Sequence, residues 1–104
     1  MVIEIGRIVN EVEVKVVTVN EQERKVLNNR LAVRINKDHT TFLDFTAWGP
    51  TAEFIGAHFT KGDGIYLTGK LMNKTVQKEN VEFQTTYVLV EEANFTPGRK
   101  KEQE

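Results

Sequence analysis

Residues 42–71 read F-L-D-F-T-A-W-G-P-T-A-E-F-I-G-A-H-F-T-K-G-D-G-I-Y-L-T-G-K-L, and the changes of period within them decide the fold. The stretch opens as an alternating strand, with Leu43, Phe45 and Ala47 toward one face and Phe42, Asp44, Thr46 and Trp48 toward the other, because strand side chains alternate with period two. At Gly49-Pro50 the pattern breaks. Pro50 suits the first turn of a helix, and Ala52, Ile55 and Phe59 recur at helical spacing, giving a short helix one apolar side. Lys61-Gly62-Asp63-Gly64 stops it, with Gly62 and Gly64 as the expected positive-φ positions. A second alternating strand follows, with Ile65, Leu67 and Leu71 inside and Tyr66, Thr68, Lys70, Met72 and Lys74 outside.

Upstream, residues 2–19 read as one long extended segment, with Val12, Val14 and Val16 on one side. Gly6 interrupts it, and a glycine there marks a bend that lets one strand serve both halves of a closed barrel. Polar residues 20–25 form a turn. From Asn29 a second strand places Leu31, Val33 and Ile35 inside and Arg30, Ala32, Arg34 and Asn36 outside, and Asn36-Lys37-Asp38-His39 makes a short hairpin into the Phe42 strand. Downstream, polar residues 73–82 are expected to be a mobile hairpin loop before a fifth strand from Phe83 to about Val90, with Phe95 as a last anchor. Five strands with one short helix between the third and fourth match an all-β OB-fold, a partly open Greek-key barrel. An SH3-like barrel would also supply five short strands, but the helix favours the OB arrangement. The domain is expected to span residues 1–96, followed by a disordered polar tail over 97–104.

The bulk composition narrows the function classes. A chain of 104 residues supports one modest core, and the absence of cysteine removes disulfide frameworks and thiolate metal sites. The opening M-V-I-E-I-G-R has no long apolar run, so a soluble cytoplasmic protein without membrane attachment is expected. The formal charge of -1 excludes action through overall positive charge, leaving a local basic stripe as the alternative. His39 and His58 have no second His or Cys at ligand spacing, and no phosphate loop, nucleophile elbow or paired catalytic carboxylates occur. Neither an enzyme nor a cofactor is expected.

Phe42 and Trp48 are the anomaly. A strand whose inner face is already apolar usually carries polar residues outside, so these rings are either covered by a second layer or form a binding surface. They lie about 20 Å apart along the strand and would serve different bases. Lys70 and Lys74 share a face with Tyr66 and Met72, while Arg30 and Arg34 project from the neighbouring strand. Cations beside aromatics suit a groove that follows a nucleic-acid backbone. Tyr66 fits a subunit interface as well as a nucleic-acid contact.

The pieces I-E-I-G-R-I, L-A-V, F-T-A-W-G-P-T-A-E-F-I, K-G-D-G-I-Y-L-T-G-K-L and T-Y-V-L-V-E-E-A-N-F together resemble the bacterial single-stranded DNA-binding proteins. The resemblance implies an OB-fold homo-oligomer, usually a homotetramer with a dimer as the alternative, that wraps single-stranded DNA during replication, recombination or repair; that family is the standard illustration of binding by stacking platforms. Carried over by position, Phe42 and Trp48 fall where base-stacking aromatics stand, and Lys61, Lys70 and Lys74 match basic positions. With Arg30, Arg34 and Lys37 they complete the candidate DNA-binding set. Lys37 and Val76 stand where further stacking aromatics are usual, and Asp44 stands where a basic residue is expected, so weaker binding follows. The resemblance also implies an acidic recruiting tip at the C-terminus, which the ending K-E-Q-E does not match. A PriB-like primosomal or protein-interaction module with weakened DNA affinity is the competing expectation.

Overall fold

The structure, a computed structural model, describes residues 1–96, so the expectation for the tail over 97–104 lies outside the described residues. Six strands and one helix follow in the order β1 (Val2–Ile8), β2 (Lys15–Val19), β3 (Gln22–Asn36), β4 (His39–Trp48), α1 (Gly49–His58), β5 (Gly64–Lys78) and β6 (Val81–Asn94). Five of the strands close a circuit: β1 pairs antiparallel with β3 and with β5, β3 with β4, β5 with β6, and β4 runs parallel to β6. That circuit is the OB-fold barrel. Strand β2 lies outside it, hydrogen-bonded to β3 alone.

The first segment is therefore not one strand. Residues 2–7 pair with β5 and Arg7 and Ile8 with β3, so β1 serves both halves of the barrel as its glycine suggested. A Cβ at Gly6 would run into the Ala32 carbonyl oxygen, which is why β1 can bend across β3 only there. After Ile8 the chain leaves the sheet until Lys15, and Val16 turns outward. The 20–25 turn shrinks to Asn20-Glu21, with φ of 51° and 65°, the two left-handed residues of a tight hairpin.

Ile8, Leu27, Leu31, Phe45, Ile65, Leu67 and Val88 fill the barrel. α1 starts at Gly49, carries Pro50 in its first turn, and plugs one end with Ala52 and Ile55, followed by buried Phe59. Of the two glycines expected to end it, Gly62 has a positive φ of 91°, whereas Gly64 is ordinary strand backbone opening β5.

Residues 73–82 do form a hairpin, but its legs are paired strand rather than loop. β5 and β6 continue as a two-stranded arm, paired from Met72↔Tyr87 to Lys78↔Val81 and closed by Glu79-Asn80 with φ of 53° and 67°. Most of the arm has no core beneath it, so polar residues stand on both faces and lysines interrupt the apolar ones on the outer face, which hid its alternation. Leu71, expected inside, is 56% exposed where β5 leaves the barrel. Ile35, also expected inside, is 60% exposed because the β3–β4 ladder shifts register between Arg34 and Asn36, which leaves Ile35 bulged. The Cα radius of gyration of 14.8 Å exceeds the about 13 Å of a compact chain near this size, in keeping with projecting hairpins. No helix among the described residues is long and apolar enough to cross a membrane.

Candidate nucleic-acid interface

Because paired residues share a face, the register lays out the outer surface of the barrel row by row. Met72 opposes Tyr87, Tyr87 aligns with Asp44, and Asp44 opposes Arg30, giving one continuous row across β5, β6, β4 and β3. The next row, toward α1, runs Lys70, Leu89, Thr46 and Asn28. Trp48 then opposes Val26 at the end of β4. These rows floor an open groove of about 870 Å³ that includes Trp48, Tyr87, Arg30, Asp44, Lys74 and Thr85 in its lining.

Trp48 is half-buried against its surroundings, and the Arg24 guanidinium lies over its ring, 5.2 Å from the centroid. Phe42, 54% exposed, is covered in the same way by Arg30 at 5.9 Å. Arg30 Nε also donates to Asp44 Oδ1 at 3.0 Å. Asp44 thus neutralises the cation beside it. On the neighbouring row Thr46 Oγ1 donates to Asn28 Oδ1 at 2.7 Å, holding β3 and β4 in step.

One wall of the groove comes from the segment between β1 and β2, through Val9 and Asn10. Asn29 holds that wall. Its Oδ1 accepts from Asn10 N at 3.1 Å and from Arg30 N at 2.7 Å, and its Nδ2 donates to the carbonyls of Asn10 and Glu11 at 3.1 and 3.2 Å. Asn29 is the buried polar residue of the described barrel, and its amide satisfies backbone groups that the departing chain leaves unpaired.

Of the residues singled out in the sequence, the structure brings Trp48, Arg30 and Lys74 into the groove lining, with Phe42 reached through Arg30. Lys70 shares the outer face, but its Nζ lies 3.7 Å from Glu91 Oε2. Arg34 and Lys37 stand at the β3–β4 hairpin end, where Arg34 Nε donates to the Asn36 carbonyl at 3.4 Å. Lys61 is exposed in the turn between α1 and β5, beside the Ile8 end of β1, outside the lining. Tyr66 is half-buried on β5 opposite Ile5 and Asn94, also outside it.

Sequence reasoning missed Tyr87, Thr85 and Arg24. Tyr87 enters the groove only because β6 lies parallel to β4, a pairing across more than forty residues that local pattern does not announce. The arm's outer face was missed with it. Met72, Lys74, Val76 and Lys78 there oppose Tyr87, Thr85, Phe83 and Val81, so two lysines and two aromatics share a face without a carboxylate, while Glu82 lies on the reverse face. Phe83 directly opposes Val76, the position where the resemblance led one to expect an aromatic.

Among the described residues no group of three or more His, Asp or Glu side chains converges to hold a metal ion. What the groove offers is flat rings, cations and hydroxyls on an open sheet, the chemistry that accepts unpaired bases and phosphates.

The comparisons agree with that chemistry. A single-stranded DNA-binding protein of Fusobacterium nucleatum subsp. nucleatum is 38% identical over 60 residues, 58% of this chain and 39% of the relative. One from Malacoplasma penetrans is 40% identical over 55 residues, 52% of this chain and 28% of the relative. The matched stretches thus span well under half of either curated relative. The single-strand binding protein family matches residues 1–96, the whole barrel and its arm, and the chain belongs to that family.

Proposed function

We propose that this chain binds single-stranded DNA with little sequence preference, stacking bases on Trp48, Tyr87 and Phe42 and tracking phosphates with Arg30 and Lys74. The observation that carries this reading is that Trp48, Tyr87, Arg30 and Lys74 line one and the same open groove. Every base has a π-face, so rings on an open sheet bind without reading sequence, at about 1–3 kcal/mol per stacked base. The cations add a salt-dependent term as counterions leave the DNA. Such binding would serve replication, recombination or repair in the cytoplasm, where unpaired strands arise.

The binding unit is a homo-oligomer, with a homotetramer as the reading taken from the family. Ile3 and Ile5, 54% and 48% exposed on β1, support it, since two isoleucines on one strand face suit a second copy. A protein-interaction module of the PriB-like kind has one supporting observation, the neutralisation of Arg30 by Asp44.

Trp48 is the lone tryptophan, so titration with oligo(dT) while its fluorescence is followed tests the reading directly. Quenching that reverses at high salt is expected. Unchanged fluorescence together with no mobility shift at low salt would reject DNA binding and favour the interaction module.

A further inference from the structure

We propose that Asp44 is an internal stand-in for a DNA phosphate: it holds Arg30 over Phe42 in the free protein and sets the affinity of the groove by competing with the incoming strand. The inference rests on the DNA-binding reading and deepens it. Asp44 is the one carboxylate among the described residues lining the groove, and it stands between Phe42 and Trp48 on the strand that carries both rings.

Three observations combine. The Arg30–Asp44 pair is exposed, with side-chain accessibilities of 49% and 53%, and an exposed pair contributes little to stability, so holding the fold together does not account for it. The guanidinium that bonds Asp44 is the same group that covers the Phe42 ring. A base cannot occupy that side of the ring while the guanidinium remains there. Finally, a planar guanidinium pairs with a phosphate as readily as with a carboxylate.

An arriving strand therefore exchanges one oxyanion for another. Arg30 moves from Asp44 to a phosphate, the Phe42 ring is released to a base, and Asp44 is left as a bare negative charge facing a polyanion. That last step opposes binding. Trp48 is capped by Arg24 farther along the same strand, so the opposition acts at the Phe42 end of the groove.

The test compares Asp44→Asn with Glu82→Gln, which removes the same charge from the reverse face of the arm. In oligo(dT) titrations at several salt concentrations, Asp44→Asn should tighten binding about 3- to 10-fold at low salt. Its log affinity against log salt should steepen by about 0.7, one counterion's worth on a single strand, because Arg30 then meets its phosphate without leaving a bare carboxylate that draws a cation back. Glu82→Gln should change either quantity much less. In an Arg30→Gln background the gain from Asp44→Asn should shrink, because the competition for the guanidinium is gone and only the repulsion between the bare carboxylate and the strand remains to be relieved. Equal effects of Asp44→Asn and Glu82→Gln would reduce the carboxylate to a distant charge, and a loss of affinity in both Asp44→Asn and Asp44→Ser would make it a structural brace; either result overturns the proposal. Wild-type protein that binds no oligo(dT) would instead reject the function on which the proposal rests.

Discussion

Replacing Asn29 by alanine should unfasten the wall of the groove. Three of the Asn29 side-chain hydrogen bonds reach the backbone of Asn10 and Glu11, in the segment that leaves the sheet between β1 and β2. Each such bond contributes about 0.5–1.5 kcal/mol net, and a buried group left unpaired loses more. The loss should therefore be about 2–4 kcal/mol, a large part of the stability of a small domain. At about 4–8 °C per kcal/mol for a chain near this size, Tm should fall by roughly 10–30 °C. Urea denaturation at 25 °C and calorimetry measure it. Val9 and Asn10 line the groove, so the folded fraction should also bind oligo(dT) less tightly. Asn10→Ala keeps every backbone group that Asn29 bonds and should stay within about 0.5 kcal/mol of wild type. Should the two variants melt alike, the bonds of Asn29 are not what holds this segment, and the argument fails.

Tyr87→Ala should weaken oligo(dT) binding about 5- to 100-fold while leaving the melt nearly intact, and Phe83→Ala should weaken binding to long more than to short oligo(dT); fluorescence titration with both lengths checks this. Lys74→Ala should flatten the dependence of log affinity on log salt by about 0.7, and Lys61→Ala by less, because only Lys74 lines the groove. Glu79 and Asn80 both hold positive φ, which glutamate tolerates poorly, so Glu79→Asn with Asn80→Gly should stabilise the arm by about 1 kcal/mol, read as a higher urea midpoint.

Local pattern was enough for the run from β4 through α1 into β5. The alternation from Phe42 to Trp48, the break at Gly49-Pro50 and the spacing of Ala52, Ile55 and Phe59 each report a face that has a core beneath it, and a buried face imposes its period on the sequence. Residues 73–82 face no core on either side over most of their length, so their composition resembled a loop while their backbones were pairing β5 to β6. Ile35 kept the inward period but lost the inside, through a one-residue bulge that changes no residue type.

The rings and cations of the groove were visible one at a time, but their company was not. Trp48, Arg30 and Lys74 could be named from their strands, whereas Tyr87 reached them through a parallel pairing between strands far apart in the chain. Arg24 over Trp48, and Arg30 both over Phe42 and paired with Asp44, are likewise facts of folded geometry. A side chain's period is written in its neighbours along the chain. Its charge partner and its ring partner are chosen by the sheet register, which sums contributions from the whole barrel.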